Sequence, residues 1–122
     1  MTYKKVFDAL NGITVSTSTT DTIPVAYYAF PEDDPNNPPP SPPFICYYYP
    51  GSNDLDADNA NYQMIRPLTV ELYTDNKDFS VERQVETALN NAGFVYTRDE
   101  TYIDSEKLYL VSYETEVVIS NG

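Results

Sequence analysis

The stretch from Thr69 to Ile119 limits what this chain can become more than any other part of it. Leu68, Val70 and Leu72 alternate with Thr69, Glu71 and Tyr73, the pattern of a half-buried strand. Val81, Val85, Ala88, Leu89 and Ala92 then fall at i, i+4, i+7, i+8 and i+11, which is one stripe of a helix. Asp78 or Ser80 can cap that helix, and Glu82 lies in its first turn, where the helix dipole favours an acid. Gly93 stands where a left-handed residue closes a helix. Phe94-Val-Tyr-Thr-Arg98 predicts the next strand, and Asp99 to Ser105 a connection. In the last strand, Lys107 to Ile119, one face carries Tyr109, Val111, Tyr113, Thr115, Val117 and Ile119. The other carries Leu108, Leu110, Ser112, Glu114 and Glu116. Strand, helix, strand, strand is the order of a small α+β module.

The first half of the chain adds shorter elements. Tyr3, Val6, Phe7 and Leu10 share one helical face, so residues 3 to 11 predict a helix stopped at Gly12. A polar, β-branched linker from Thr14 to Thr22 follows. Ile23 to Phe30 predicts the first strand, kept to an edge by Pro24. Residues 31–43 hold seven of the ten prolines and predict an extended, partly polyproline II loop. A loop of that length is either a partner-binding arm or a solvated insertion. Phe44 to Tyr49 is a strand apolar on both faces, ended by Pro50-Gly51. An acidic loop spans residues 52–61, and Tyr62 to Tyr73 predicts a long strand interrupted at Pro67. The sum is one α+β domain over residues 1–122: a mostly antiparallel sheet of four to five strands with two helices packed on one face.

Charge excludes several functions. Nineteen acids against seven bases leave a formal net charge of −12, and no Lys or Arg occurs between Lys5 and Arg66. Nucleic-acid binding needs cations against phosphates, and an anionic membrane surface needs them too, so neither is expected. No apolar run is long enough for a membrane span or a signal peptide's core. Cys46 is the sole cysteine and sits in an apolar run, so it reads as a buried, inert thiol in a reducing compartment.

Chemistry is sparse. Histidine is absent, which removes the commonest general base and the commonest metal ligand, and Cys46 therefore has no partner as a nucleophile. Phosphate-binding glycine loops, hydrolase elbows and zinc sets are missing as well. No enzyme activity, catalytic residue, cofactor or specific metal is expected. Asp54, Asp56 and Asp58 have the spacing of the first calcium-loop ligands, but position six is Asn59 and position twelve is Ile65. They read as an acidic surface loop. Tyr27, Tyr28, Tyr47, Tyr48 and Tyr49 could stack on bases, yet no cation neighbours them in sequence. Sheet-face contacts or a subunit interface fit them better.

Three segments resemble a known family: Ser52 to Tyr62, Val70-Glu-Leu-Tyr-Thr-Asp-Asn-Lys-Asp78, and Tyr102-Ile-Asp-Ser-Glu-Lys-Leu-Tyr109. Together with the strands around them, over residues 44 to 119, they are similar to small head–tail joining proteins of long-tailed phages and prophages of Gram-positive bacteria, the tail-terminator or tail-completion proteins. The proline run at 31–43 is longer than the resemblance leads one to expect. The resemblance implies an α+β subunit that closes as a homo-oligomeric, six-fold ring on the tail tube, touches the tube and head-completion or connector proteins, and resides in the virion after assembly in the host cytoplasm. It carries no catalytic residues over. Other rings of the same junction, head completion or tail tube, are the nearest alternative. A non-viral adaptor using the proline arm as its ligand is a different one, and an extracellular calcium module a third.

If the loop at 52–61 lines such a ring, its acids would repel DNA and let it slide through. Neutralising Asp54, Asp56 and Asp58 is then expected to slow DNA passage and lower infectivity in a plaque assay; unchanged infectivity would refute the lumen role.

Overall fold

A computed structural model describes residues 1–15, 21–32, 34–52 and 64–119. The elements run α1 (Tyr3–Leu10), β1 (Val25–Tyr27), β2 (Phe44–Tyr48), β3 (Met64–Thr74), α2 (Phe79–Asn91), β4 (Thr97–Ile103) and β5 (Leu108–Ile119). The strands form one sheet in the order β1-β2-β3-β5-β4. β1 runs parallel to β2 and every other pair is antiparallel, so the fold is α+β. The acidic loop, with Asp54, Asp56 and Asp58, lies outside the described residues.

Strand alternation sorts the side chains. Ile45, Leu72 and Val111 stand side by side across three strands, as do Tyr47, Val70 and Tyr113. All six belong to the core, together with Leu68, Val117 and Ile119. α1 adds Val6 and Leu10, and α2 adds Val81, Val85 and Leu89, so both helices bury their apolar stripes against the same sheet face. Each fully buried aliphatic side chain of this kind contributes about 1.5–3 kcal/mol. Ile13 and Ile23 complete the core where residues 13–15 and 21–23 run antiparallel, joined by the Ile23 N–H donating to the Ile13 carbonyl at 2.7 Å. Gln84 clamps that segment to α2. Its amide oxygen accepts from the Thr14 N–H at 3.1 Å, and its Nε2 donates to the Thr14 carbonyl at 2.9 Å.

The helix ends follow local chemistry. Thr2 caps α1 by accepting from the Lys5 N–H, and Asp78 caps α2 by accepting from the Val81 N–H. At the far end of α2 the Gly93 N–H donates to Asn90 and the Phe94 N–H to Leu89, both at 3.0 Å. That pair of bonds is a Schellman motif, and it requires the left-handed φ of +83° at Gly93.

Three expectations need correction. The first strand is Val25–Tyr27, not 23 to 30, because Tyr28 turns into the left-handed region at φ +73° and takes the chain off the sheet. Pro67 does not interrupt β3: it lies beyond the last β2 pairing at Thr69, where among the described residues β3 has a neighbour only on its β5 side, and a proline without an N–H is tolerated there. The strand expected at 94 to 98 is instead Thr97–Ile103, paired with β5 through a turn at 104–107. Its residues are exposed except for a half-buried Ile103, so as a charged edge strand it has the composition of a loop. Among the described residues no helix is long and apolar enough to cross a membrane.

A Cβ at position 93 would meet no atom within 4 Å, so only backbone strain opposes a side chain there. Gly93→Ala is therefore expected to lower stability by about 1–2 kcal/mol in denaturant titration, and Gly93→Asn by less; an unchanged midpoint for the alanine variant would contradict the left-handed closure.

Candidate functional site

Because both helices cover one face, the residues between the core positions point to a face that, among the described residues, no helix covers. Phe44, Tyr73 and Leu110 form one row across it, and Cys46, Glu71 and Ser112 the next. The Phe44 and Tyr73 rings stack at 5.0 Å, Phe30 meets Phe44 edge-on at 5.5 Å, and Tyr28 meets Tyr48 at 5.2 Å. Tyr28 remains 68% exposed, so this aromatic surface is open to a partner. Tyr73 Oη donates to Glu71 Oε1 at 3.1 Å. Burial first, and then the Glu71 charge, push the Tyr73 hydroxyl above its ordinary pKa. Cys46 is buried in the same face, and burial with the nearby Glu71 raises its thiol to about 11, which keeps it inert.

The tyrosine cluster expected from sequence is split by the pleat. Tyr28 and Tyr48 belong to the open face, while Tyr27, Tyr47 and Tyr49 turn to the helix side and meet Tyr3 from α1. There Tyr3, Tyr27, Tyr47, Tyr49, Gly51 and Arg66 line an open groove of about 350 Å³. Its rings hold one another: Tyr3 to Tyr49 at 5.1 Å, Tyr27 to Tyr47 at 5.3 Å, Tyr27 to Tyr49 at 6.0 Å. Burial pushes the Tyr47 and Tyr49 hydroxyls above their ordinary values. Sequence reasoning missed Tyr3 and Arg66 as members. The long cation-free interval in sequence ends in space at this groove, because Arg66 opens β3 next to the close of β2. Tyr3 was legible as a helical position, but not as a neighbour of Tyr49.

A polar cluster secures the opposite side of the molecule. Glu82 is 4% exposed, and its Oε1 accepts from Arg98 Nη2 at 2.7 Å. Lys77 Nζ lies 2.5 Å from Glu82 Oε2, as an ion pair rather than an aligned hydrogen bond, and bonds Glu100 Oε1 at the same distance. Arg98 also reaches Glu100 at 3.0 Å and Glu86 at 3.6 Å, and Tyr113 Oη donates to Glu86 at 2.8 Å. Hydrogen bonds from Lys77 and Arg98 hold the Glu100 carboxyl below its usual 4.5. Burial alone would lower Lys77, but its bonds to Glu100 and Glu82 outweigh that and raise it. The bond to Glu82 raises Arg98. Glu82, read from sequence as a dipole partner, is thus the buried hub that ties α2 to the edge strand β4. Among the described residues no three His, Cys, Asp or Glu side chains gather as a metal site would require.

Among the described residues β4 leaves its outer edge unpaired, since it stands last in the sheet. At the strand ends a broad depression of about 880 Å³ runs from Tyr48 and Pro67 past Glu114 and Glu116 to Val95 and Thr97. Val95 is 90% exposed beside it. The molecule therefore offers an aromatic open face, a tyrosine groove and a free polar edge.

No family model matches this chain, and no curated protein does. Among solved structures, a chain of the virion of a native gene transfer agent particle is similar over 77% of this chain and 78% of that one, with 14% identity and a TM-score of 0.46. At that TM-score the likeness carries no argument about role.

The ion cluster sets a pH dependence. A carboxyl with a depressed folded pKa contributes stability that is present above its unfolded value and lost as pH falls through the folded one. Glu100→Gln is expected to be less stable than the parent at neutral pH, with the two unfolding midpoints converging once the pH drops below 4.5. A difference that stays constant with pH would show that Glu100 makes no ionic contribution.

Proposed function

We propose that this chain is a non-catalytic structural subunit of a phage particle, a tail terminator or tail-completion protein that caps the tail tube as a ring at the head–tail junction. One observation carries the reading: a single sheet leaves unlike surfaces open on opposite sides. The side of β1 and β2 offers aromatic rings, and the side of β4 offers a charged free strand edge. A ring of identical subunits is built head to tail, through two different patches on each copy. An unpaired edge and a tyrosine-rich face are both suited to such contacts.

Further support comes from the sequence. The segments at 52–62, 70–78 and 102–109 resemble head–tail joining proteins. A formal charge of −12 per copy suits a subunit that surrounds passing DNA without binding it. With no histidine in the chain, contact rather than catalysis is the natural use of these surfaces. The partners proposed are further copies, the tail tube protein and a head-completion or connector protein, and the location is the virion.

A second reading has its own observation. The proline arm is mostly exposed, as a ligand for an aromatic groove on another protein would be. Purified tail tubes separate the two, since a ring subunit binds them whereas an adaptor does not.

Light scattering after size exclusion, over a wide concentration range with and without purified tail tubes, tests the first reading. A closed ring, free or on the tube tip, is the expected result. A subunit that stays monomeric and does not bind tubes would overturn it.

A further inference from the structure

The arm and the tyrosine groove have complementary chemistry. The chain leaves the sheet at Tyr28 and returns at Phe44, and the Phe30 and Phe44 rings meet at 5.5 Å and pin the base of the arm. At the tip Asp34 orders a turn: its Oδ1 accepts from the Asn36 N–H at 2.9 Å and its Oδ2 from Asn37 Nδ2 at 3.1 Å. Pro38-Pro-Pro-Ser-Pro-Pro43 follows, with residues 34–39 and Ser41 exposed. Prolines have no N–H to give a sheet, but they present flat rings and carbonyl acceptors on a chain with little entropy left to lose.

The groove is built for such a segment. Tyr47 and Tyr49 form its floor, and Tyr3 and Tyr27, 43% and 53% exposed, form its walls. Proline-rich segments dock between aromatic rings arranged in this way. Arg66 lines the groove, and the arm carries the exposed acids Glu32 and Asp34.

Geometry favours docking between copies. Phe30 and Phe44 lie on the face without helices, at the start of β2. The groove lies on the helix face, at the end of β2 away from Phe44, with Tyr47 and Tyr49 roughly 10 and 17 Å along the strand. An arm reaching its own groove must wrap around β1. In a neighbouring copy the same two features are unlike patches that can meet, in addition to the contact made by the β4 edge.

We propose that the proline-rich arm of one copy lies in the tyrosine groove of the next. This rests on the ring reading, and the test separates the two. Full-length Ser41→Cys protein is mixed with full-length Gly51→Cys protein under mild oxidation. Position 51 lines the groove and a Cβ there meets nothing within 4 Å, so all four tyrosines stay in place. The native Cys46 is buried and stays silent. A mixed disulfide is expected, roughly tenfold faster than in a mixture of Ser41→Cys with the exposed Val95→Cys, as raised effective concentration dictates. Adding Tyr27→Ala to the Gly51→Cys protein is expected to remove most of that preference.

Equal rates in both mixtures would overturn the proposal. So would a double Ser41→Cys, Gly51→Cys chain that closes on itself at a rate independent of dilution, for then each arm fills its own groove. Light scattering on the same samples reads the ring independently. A closed ring without the selective disulfide removes the arm contact and keeps the ring; a selective disulfide in open oligomers keeps the arm contact and removes the ring.

Discussion

Every strand of this sheet that feeds the core must also send its alternate side chains to a face with no helix over it. Two helices are enough to cover one face of five strands, and both lie on the same one. Among the described residues the other face is therefore left without a helix. Its composition is what differs from an ordinary wet face. Phe44, Tyr48, Tyr73 and Leu110 sit where a solvated sheet carries polar groups, and aromatic stacking keeps them half-buried. Aromatic residues with one apolar body and one polar tip are stable in water and remain ready to be covered.

The ion cluster sits at the margin of the same one-sided arrangement. β4 lies at the sheet margin, and its core-side residues are Arg98 and Glu100 rather than apolar side chains. α2 meets them with Glu82 and Glu86, and Lys77 joins from the loop before the helix. Pairing with Arg98 and Lys77 offsets the cost of burying the Glu82 carboxyl group in the first turn of α2, and it positions the charged edge strand without extending the core. Isolated exposed pairs such as Lys4 with Asp8 contribute little; a network sharing one buried acid is a stronger constraint on geometry.

Much of this was legible in the sequence where the cause is local. The stripe Val81, Val85, Leu89 is fully buried, Asp78 caps α2, Gly93 closes it, and Leu68, Val70 and Leu72 face the core, because periodicity and end chemistry depend on near neighbours in the chain. β4 was not legible: the tertiary position of an edge demands charged, exposed residues, and those are also what a connection carries. Three consecutive tyrosines at 47–49 declare that two face one side and one the other, yet the groove they build also needs Tyr3 and Arg66, which only the fold brings near. Glu82 is the first-turn acid that the sequence predicts, but its role as a hub was hidden because its partner Arg98 belongs to a strand that sequence alone had misplaced.

The central claim is that the subunit works through unlike surfaces at opposite sides of one sheet. Amide hydrogen exchange on the free protein and on the protein assembled with tail tubes tests it most directly. The account predicts new protection in two separated places, the β4 edge at Thr97–Ile103 and the arm and strands around Tyr27 to Tyr49, with the interior of β3 unchanged. Protection confined to one of these places, or absent from both, would contradict it.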